Sequence, residues 1–113
     1  MLARQHRLTK EKDFEKIFKQ GKAYYTKLLG VKILASQFRF NRFGIIISSK
    51  VSKKATERNR LKRRIRQAVR ELDKKLKSGF DLAVIASPGF LKQDYEIIKG
   101  ELEKIFRELK LFK

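Results

Sequence analysis

The sequence predicts an α+β fold, a small sheet covered by helices in the order α-β-β(-β)-α-β-α, and three observations carry that prediction. Helical and strand periodicities alternate along the chain, with no repeat, low-complexity segment or interdomain linker between them. Each helical segment carries a single apolar stripe, which needs a second layer to cover it, and the apolar strands supply that layer. The 113 residues, 42% of them hydrophobic, suffice for one core and are too few for two ordinary domains. Residues 1–113 are therefore expected to form a single domain.

Thr9 is placed to cap a first helix of about Lys10 to Gln20, with Phe14, Ile17 and Phe18 on one face and Gly21 just past its end. From about Lys27 to Phe38, Leu29, Val31, Ile33 and Ala35 alternate with Gly30, Lys32, Leu34 and Ser36, the two-residue period of a strand. The bracketed strand in the predicted order allows for a further break dividing this first strand region. Arg39 to Arg42 turn the chain, and Phe43 to Ser49 is a short β-branched run that most simply pairs antiparallel with its predecessor. After a linker from Lys50 to Ala55, Thr56 can cap a long helix that should end near Lys77, before Ser78-Gly79. Phe80 to Ala86 reads as a fully buried strand stopped by Ser87-Pro88-Gly89. A last helix from about Asp94 to Leu111 shows Ile98, Leu102, Ile105, Phe106 and Leu109 on one stripe.

The long central helix carries the functional signal. Between Lys50 and Arg70 there are ten Lys or Arg residues and one acid, Glu57. Leu61, Ile65, Ala68, Val69, Leu72 and Leu76 recur at three-, four- and seven-residue spacings, which puts them on one helix face. Asn59, Arg60, Arg63, Arg66, Gln67, Arg70, Lys74 and Lys77 spread over the opposite side. A charge run is ordinarily a solvated face, but aligned cations repel one another, and a polyanion is what would offset that repulsion. The net charge of +18, from 30 Lys or Arg against 12 acids, points the same way. Nucleic acid is favoured over a membrane surface, because the apolar face of this helix has strands to cover. Arginine forks suit bidentate phosphate or base-edge contacts, Asn59 can read an amide-compatible edge, and backbone donors near Thr56 could meet a phosphate.

Other chemistries find little support. There is no cysteine, which excludes disulfides, thiolate zinc sites and cysteine nucleophiles. The N-terminal residues lack the apolar run of a signal peptide and no stretch reaches membrane-spanning length, so the expected location is cytoplasmic. His6, the single histidine, reads as a tail residue. Gly30, Gly44 and Gly79 form no phosphate-loop pattern. The carboxylates are scattered singly along helices, so no catalytic side chain, metal site or side-chain-bound cofactor is expected.

The run Arg58-Asn59-Arg60, Leu61-Lys62-Arg63 and Ile65-Arg66, preceded by Lys53-Lys54-Ala55, resembles the signature of the bacterial ribonuclease P protein subunit. Arg7-Leu8, Asp13-Phe14 and Ile17-Phe18 look like that family's first helix, and Arg42-Phe43-Gly44-Ile45 like its second strand. Phe80-Asp81-Leu82 to Ala86, then Pro88-Gly89, looks like its last strand and turn, so the resemblance covers nearly all of the chain in order. Two positions depart from the family's pattern: Ser49 stands where a lysine is common, and Ser87 where an arginine is common. Each weakens an expected phosphate contact.

The resemblance implies a two-layer α/β sandwich in which the basic helix joins two parallel strands by a left-handed β-α-β crossover, against the usual right-handed rule. It also implies binding of the catalytic ribonuclease P RNA through Lys53, Arg58, Asn59, Arg60, Lys62, Arg63 and Arg66. Phe14 and Phe18, read from the residues alone, more readily plug the core. By resemblance they belong, with Lys32 and Lys50, to a cleft that takes the single-stranded 5′ leader of precursor tRNA, where aromatic faces stack unpaired bases with little sequence preference. The implied partners are ribonuclease P RNA and precursor tRNA, with no membrane and no obligatory protein partner. Magnesium is expected in the RNA–protein complex, where the RNA carries the phosphodiester chemistry. The rival reading is a ribosomal or other structural RNA-binding protein that uses the same helix as an electrostatic clamp. A DNA-binding module would need a helix-turn-helix pair, which the sequence lacks.

Overall fold

The computed structural model of the chain describes residues 7–88 and 94–113. The expectations attached to His6 and Gly89, and to the residues before Arg7, fall outside that range. Seven elements follow one another: α1 (Glu11–Gln20), β1 (Lys22–Tyr25), β2 (Leu29–Ala35), β3 (Arg42–Ile46), α2 (Ala55–Asp73), β4 (Phe80–Ala86) and α3 (Tyr95–Glu108). The α+β order is as predicted, with the optional strand present. The break that creates it lies before the long apolar run and not within it. Thr26 makes the turn, its Oγ1 accepting from the Leu29 amide at 3.2 Å and its own amide donating to the Leu29 carbonyl at 2.7 Å.

The four strands form one mixed sheet in the order β1-β2-β4-β3, with β1–β2 and β2–β4 antiparallel and β3–β4 parallel. The expected antiparallel pairing of the Phe43 strand with its predecessor is therefore incorrect: β4 inserts between them. Burial explains the insertion. β4 is apolar on both faces and suits a central position, whereas β3 carries Arg42 and half-buried isoleucines and tolerates an edge. Asn41 enforces the result from a site only 3% exposed. Its Nδ2 donates to Asp73 Oδ1 and to the Lys77 carbonyl, both at 2.9 Å, and its Oδ1 accepts from the Phe80 amide at 2.9 Å. The start of β3 is thus tied to the end of α2 and the start of β4. The parallel β3–α2–β4 unit is the crossover connection that the family resemblance implied.

Helix ends differ from expectation for local reasons. Lys10 and Lys54 hold the N-cap positions of α1 and α2, neither with a side-chain cap bond, so Thr9 lies before the first helix and Thr56 inside the second. α2 ends at Asp73 and not near Lys77, because the C-terminal residues bridge to the backbone there, Phe112 opposite Leu76. The Lys77 amide donates to the Leu111 carbonyl at 2.7 Å, and the Lys113 amide to the Lys75 carbonyl at 3.0 Å. α3 stops at Glu108, where Lys110 turns left-handed at φ 58° and the Leu111 amide reaches the Phe106 carbonyl at 2.9 Å.

The main core lies between one sheet face and the helix pair α2–α3. Leu29, Val31, Ile33, Leu82 and Val84 meet Leu61, Ile65, Val69 and Leu72 from α2 and Ile98, Leu102, Ile105 and Phe106 from α3. On the other face α1 lies across β2 and β4, where Ile17 packs with Leu8 and Ala83 against Phe14 and Leu34. That second layer is small and leaves Ile46 and Ile85 half-buried beside it. Among the described residues no helix is long and apolar enough to cross a membrane.

Candidate nucleic-acid interface

The segment before α2 is laced onto the helix that carries the cations. Ser52 Oγ donates to Glu57 Oε1 at 2.7 Å and accepts from the Lys54 amide at 3.1 Å. Arg58 Nη1 donates to the Ser52 carbonyl at 2.6 Å. These bonds pin the preceding segment to the first turns of α2, and the acid in the first turn adds a favourable term with the helix dipole. Arg58 is half-buried by this contact, while Asn59, Arg60 and Arg63 stand exposed along the helix and Lys53 on the segment before it.

Lys62 and Arg66, one turn apart, occupy the flank of α2 next to β3 and are half-buried. They line a groove of about 480 Å³ whose opposite wall is Phe14 and whose floor is Phe43 to Ile47, with Arg7 at the rim. Burial pushes the Arg66 guanidinium pKa below its ordinary value, and repulsion from Arg7 adds to the effect. An anion placed there would relieve both penalties without changing either group's protonation.

Phe14 is half-buried because its ring sits over Gly44: a Cβ at that position would come within 2.3 Å of Phe14 Cζ. Phe18 is 41% exposed, with Lys32 Nζ 5.0 Å from its ring centroid. The structure therefore joins Phe14 to Lys62 and Arg66 in one groove, and Phe18 to Lys32 beside it. Lys50 is exposed in the connection between β3 and α2, outside the residues lining that groove.

Arg42 is a cation with a different task. Its Nε and Nη2 make a bidentate pair with Asp81 at 2.9 and 2.7 Å, its Nη1 lies 3.4 Å from Asp13, and its guanidinium stands 4.6 Å over the Phe38 ring. The hydrogen bond to Asp81 raises its pKa above the usual arginine value, against the opposing effect of burial. This network bolts α1 to the sheet. Nothing in the sequence marks it, since the partners are separated by 29 and 39 residues. Among the described residues no three His, Cys, Asp or Glu side chains converge to hold a metal ion. The site's own chemistry is that of a cationic, aromatic-lined surface.

The comparisons with known proteins agree with that geometry. The sequence profile of the family described as Ribonuclease P matches residues 2–110. The chain is 41% identical over 103 residues to the ribonuclease P protein component of Synechocystis sp., covering 90% of this chain and 83% of that one. It is 34% identical over 110 residues to that of Clostridium botulinum, covering 96% and 98%. The RNase P protein of Staphylococcus aureus superposes with a TM-score of 0.87 at 27% identity, over 96% of this chain and 98% of that one. The protein from Thermotoga maritima gives 0.80 at 30% identity, over 89% and 96%. A profile match over almost the whole length, carried by relatives that align nearly end to end, shows that the chain belongs to the Ribonuclease P family, as an accessory protein component of that endoribonuclease.

Proposed function

We propose that this accessory subunit binds the catalytic RNA through α2 and the 5′ leader of precursor tRNA through the adjoining groove, so promoting 5′ maturation of tRNA. The observation that carries the reading is the sharing of one groove by Lys62 and Arg66 of α2 and Phe14 of α1. A polyanion held along α2 and an unpaired strand lying on the sheet would meet there. Lys53, Arg58, Asn59, Arg60 and Arg63 would contact the catalytic RNA; Phe18 and Lys32 would take a leader base and its phosphate, with Lys50 as an outlying phosphate contact. Stacking on aromatic faces is tolerant of sequence, as a substrate class with differing leaders requires. The cations would also screen phosphate repulsion and lower the requirement for magnesium held by the RNA. We further assign the chain as a single domain working in the cytoplasm without an obligatory protein partner.

The test adds the purified chain to a matching catalytic RNA and precursor tRNA at low magnesium, where the protein is expected to restore 5′ maturation. In that system Phe18→Ala should lower the precursor-to-mature affinity ratio by about 5- to 150-fold, as loss of one stacked base implies. Its affinity for the catalytic RNA should stay within twofold. An unaltered ratio together with a lowered unfolding midpoint would mean that Phe18 serves only the core.

A further inference from the structure

We infer that Tyr25 is an additional stacking platform for a leader base, one register step beyond Phe18 and Lys32 on the same sheet face; the inference rests on the leader-binding reading above. In the β1–β2 ladder Tyr25 stands opposite Gly30 and Ala23 opposite Lys32. Alternation along the strands puts Gly30 and Lys32, and hence Tyr25, on the face that carries α1. Gly30 lies in an interior strand, where glycine ordinarily weakens the sheet. Here it makes room: a Cβ at Gly30 would come within 2.3 Å of Tyr25 Cδ1 and 2.5 Å of Cε1. The ring is thus laid down on the strand, and Gly30 is buried beneath it.

Tyr25 itself remains 58% exposed, the highest value among the exposed large hydrophobic side chains. If the ring only covered the glycine, a leucine would serve equally well. A ring held flat by the backbone, with most of its surface still in water, loses little conformational freedom when a base stacks on it. The same register row continues through Ile85 to Ile46, both half-buried, as an apolar shelf. The surroundings select an anionic partner. No acidic residue occurs between Glu15 and Glu57, a stretch that includes β1, β2 and β3. The carboxylate that β4 adds, Asp81, is held by Arg42. A single-stranded nucleic acid running from the Phe18–Lys32 pair onto this shelf would meet a ring, an apolar floor and strands whose one carboxylate is already paired with Arg42.

The experiment uses the reconstituted complex of this chain and its catalytic RNA, with precursor tRNAs whose leaders are shortened one nucleotide at a time. Tyr25→Leu, which keeps an apolar cover on Gly30, should lower the precursor-to-mature affinity ratio by about 5- to 150-fold for long leaders only. For leaders too short to pass Phe18 it should match the wild type, and Tyr25→Phe should match it at every length. An unchanged ratio for Tyr25→Leu at all lengths, while Phe18→Ala lowers it, overturns this inference alone. If Phe18→Ala also has no effect, the leader-binding reading itself falls. A measurement on the wild-type chain covers the case in which Tyr25→Leu does not fold. A 2-aminopurine at successive leader positions should be quenched at a second position beyond the one sensitive to Phe18→Ala, and the absence of that second position would equally overturn the inference.

Discussion

Burial divides the cations of this chain into two kinds. Arg42 and Arg58 are half-buried and spend their donors on Asp81, Asp13 and the Ser52 carbonyl, whereas Arg60 and Arg63 are exposed on the same helix as Arg58. Two arginines of the signature, Arg58 and Arg63, should then respond differently to truncation. Arg63→Ala is expected to leave unfolding free energy within about 0.5 kcal/mol of the wild type, as surface changes usually do. It should weaken RNA binding and reduce the slope of log affinity against log salt by about one. Arg58→Ala should cost about 1 kcal/mol of stability as well, because the Ser52 carbonyl and the laced segment lose a charged donor. Denaturant unfolding and RNA titration at several salt concentrations separate them, and equal stability losses would contradict the division. The sequence marked both residues as cations on a helix. It could not distinguish them, since the distinction depends on how the preceding loop folds back.

The element scale shows which parts of a fold are local. α1, α2, α3 and β4 were legible because their apolar spacing is a property of contiguous residues, and β4 was read at its observed limits. β1 was not legible: Lys22, Ala23, Tyr24 and Tyr25 are mostly exposed and show no alternation that a core would impose. Strand order was misread because it depends on Asn41, whose partners lie 32 to 39 residues away. Contacts between helices are equally non-local. Glu71 on α2 accepts from the Tyr95 hydroxyl of α3 and pairs with Lys99 at 3.2 Å, and these contacts hold its carboxyl below the ordinary range. One position within α3 and one just past its end offer opposite tests of backbone preference. Gly100 is exposed in mid-helix, and a Cβ there would meet nothing within 4 Å. Gly100→Ala should therefore stabilise the protein by about 0.5–1 kcal/mol. Lys110 adopts φ 58° at the helix stop, a region that costs a residue with a Cβ about 1–2 kcal/mol, so Lys110→Gly should also stabilise, by a smaller net amount. Thermal unfolding of both variants checks the pair, and a destabilised Lys110→Gly would show that its side chain does more at the helix end than the backbone argument allows.

Across the whole molecule the charge is unevenly spread. From Asp94 to Lys113 five acids balance five bases, so the α3 side contributes nothing to the net charge of +18. The excess lies mainly on α2 and on the acid-free stretch between Glu15 and Glu57 that leads into it, whereas the acids and bases of α1 balance. A surface so divided can hold RNA on one side while the α3 side is left neutral. Binding alone does not cleave a phosphodiester, which needs a metal-held or base-activated nucleophile and a stabilised leaving oxygen. Asp13 of α1 and Asp81 of β4 are both engaged by Arg42, and no metal-ligating cluster forms among the described residues. The protein freed of all RNA should accordingly leave precursor tRNA intact at any magnesium concentration, while the same preparation supports 5′ maturation once the catalytic RNA is added. Incubation of RNA-depleted protein with 5′-labelled precursor, resolved on a denaturing gel, measures this directly. Cleavage at the mature 5′ end that survives nuclease pretreatment of the protein and disappears with one side-chain substitution would place the chemistry in this chain.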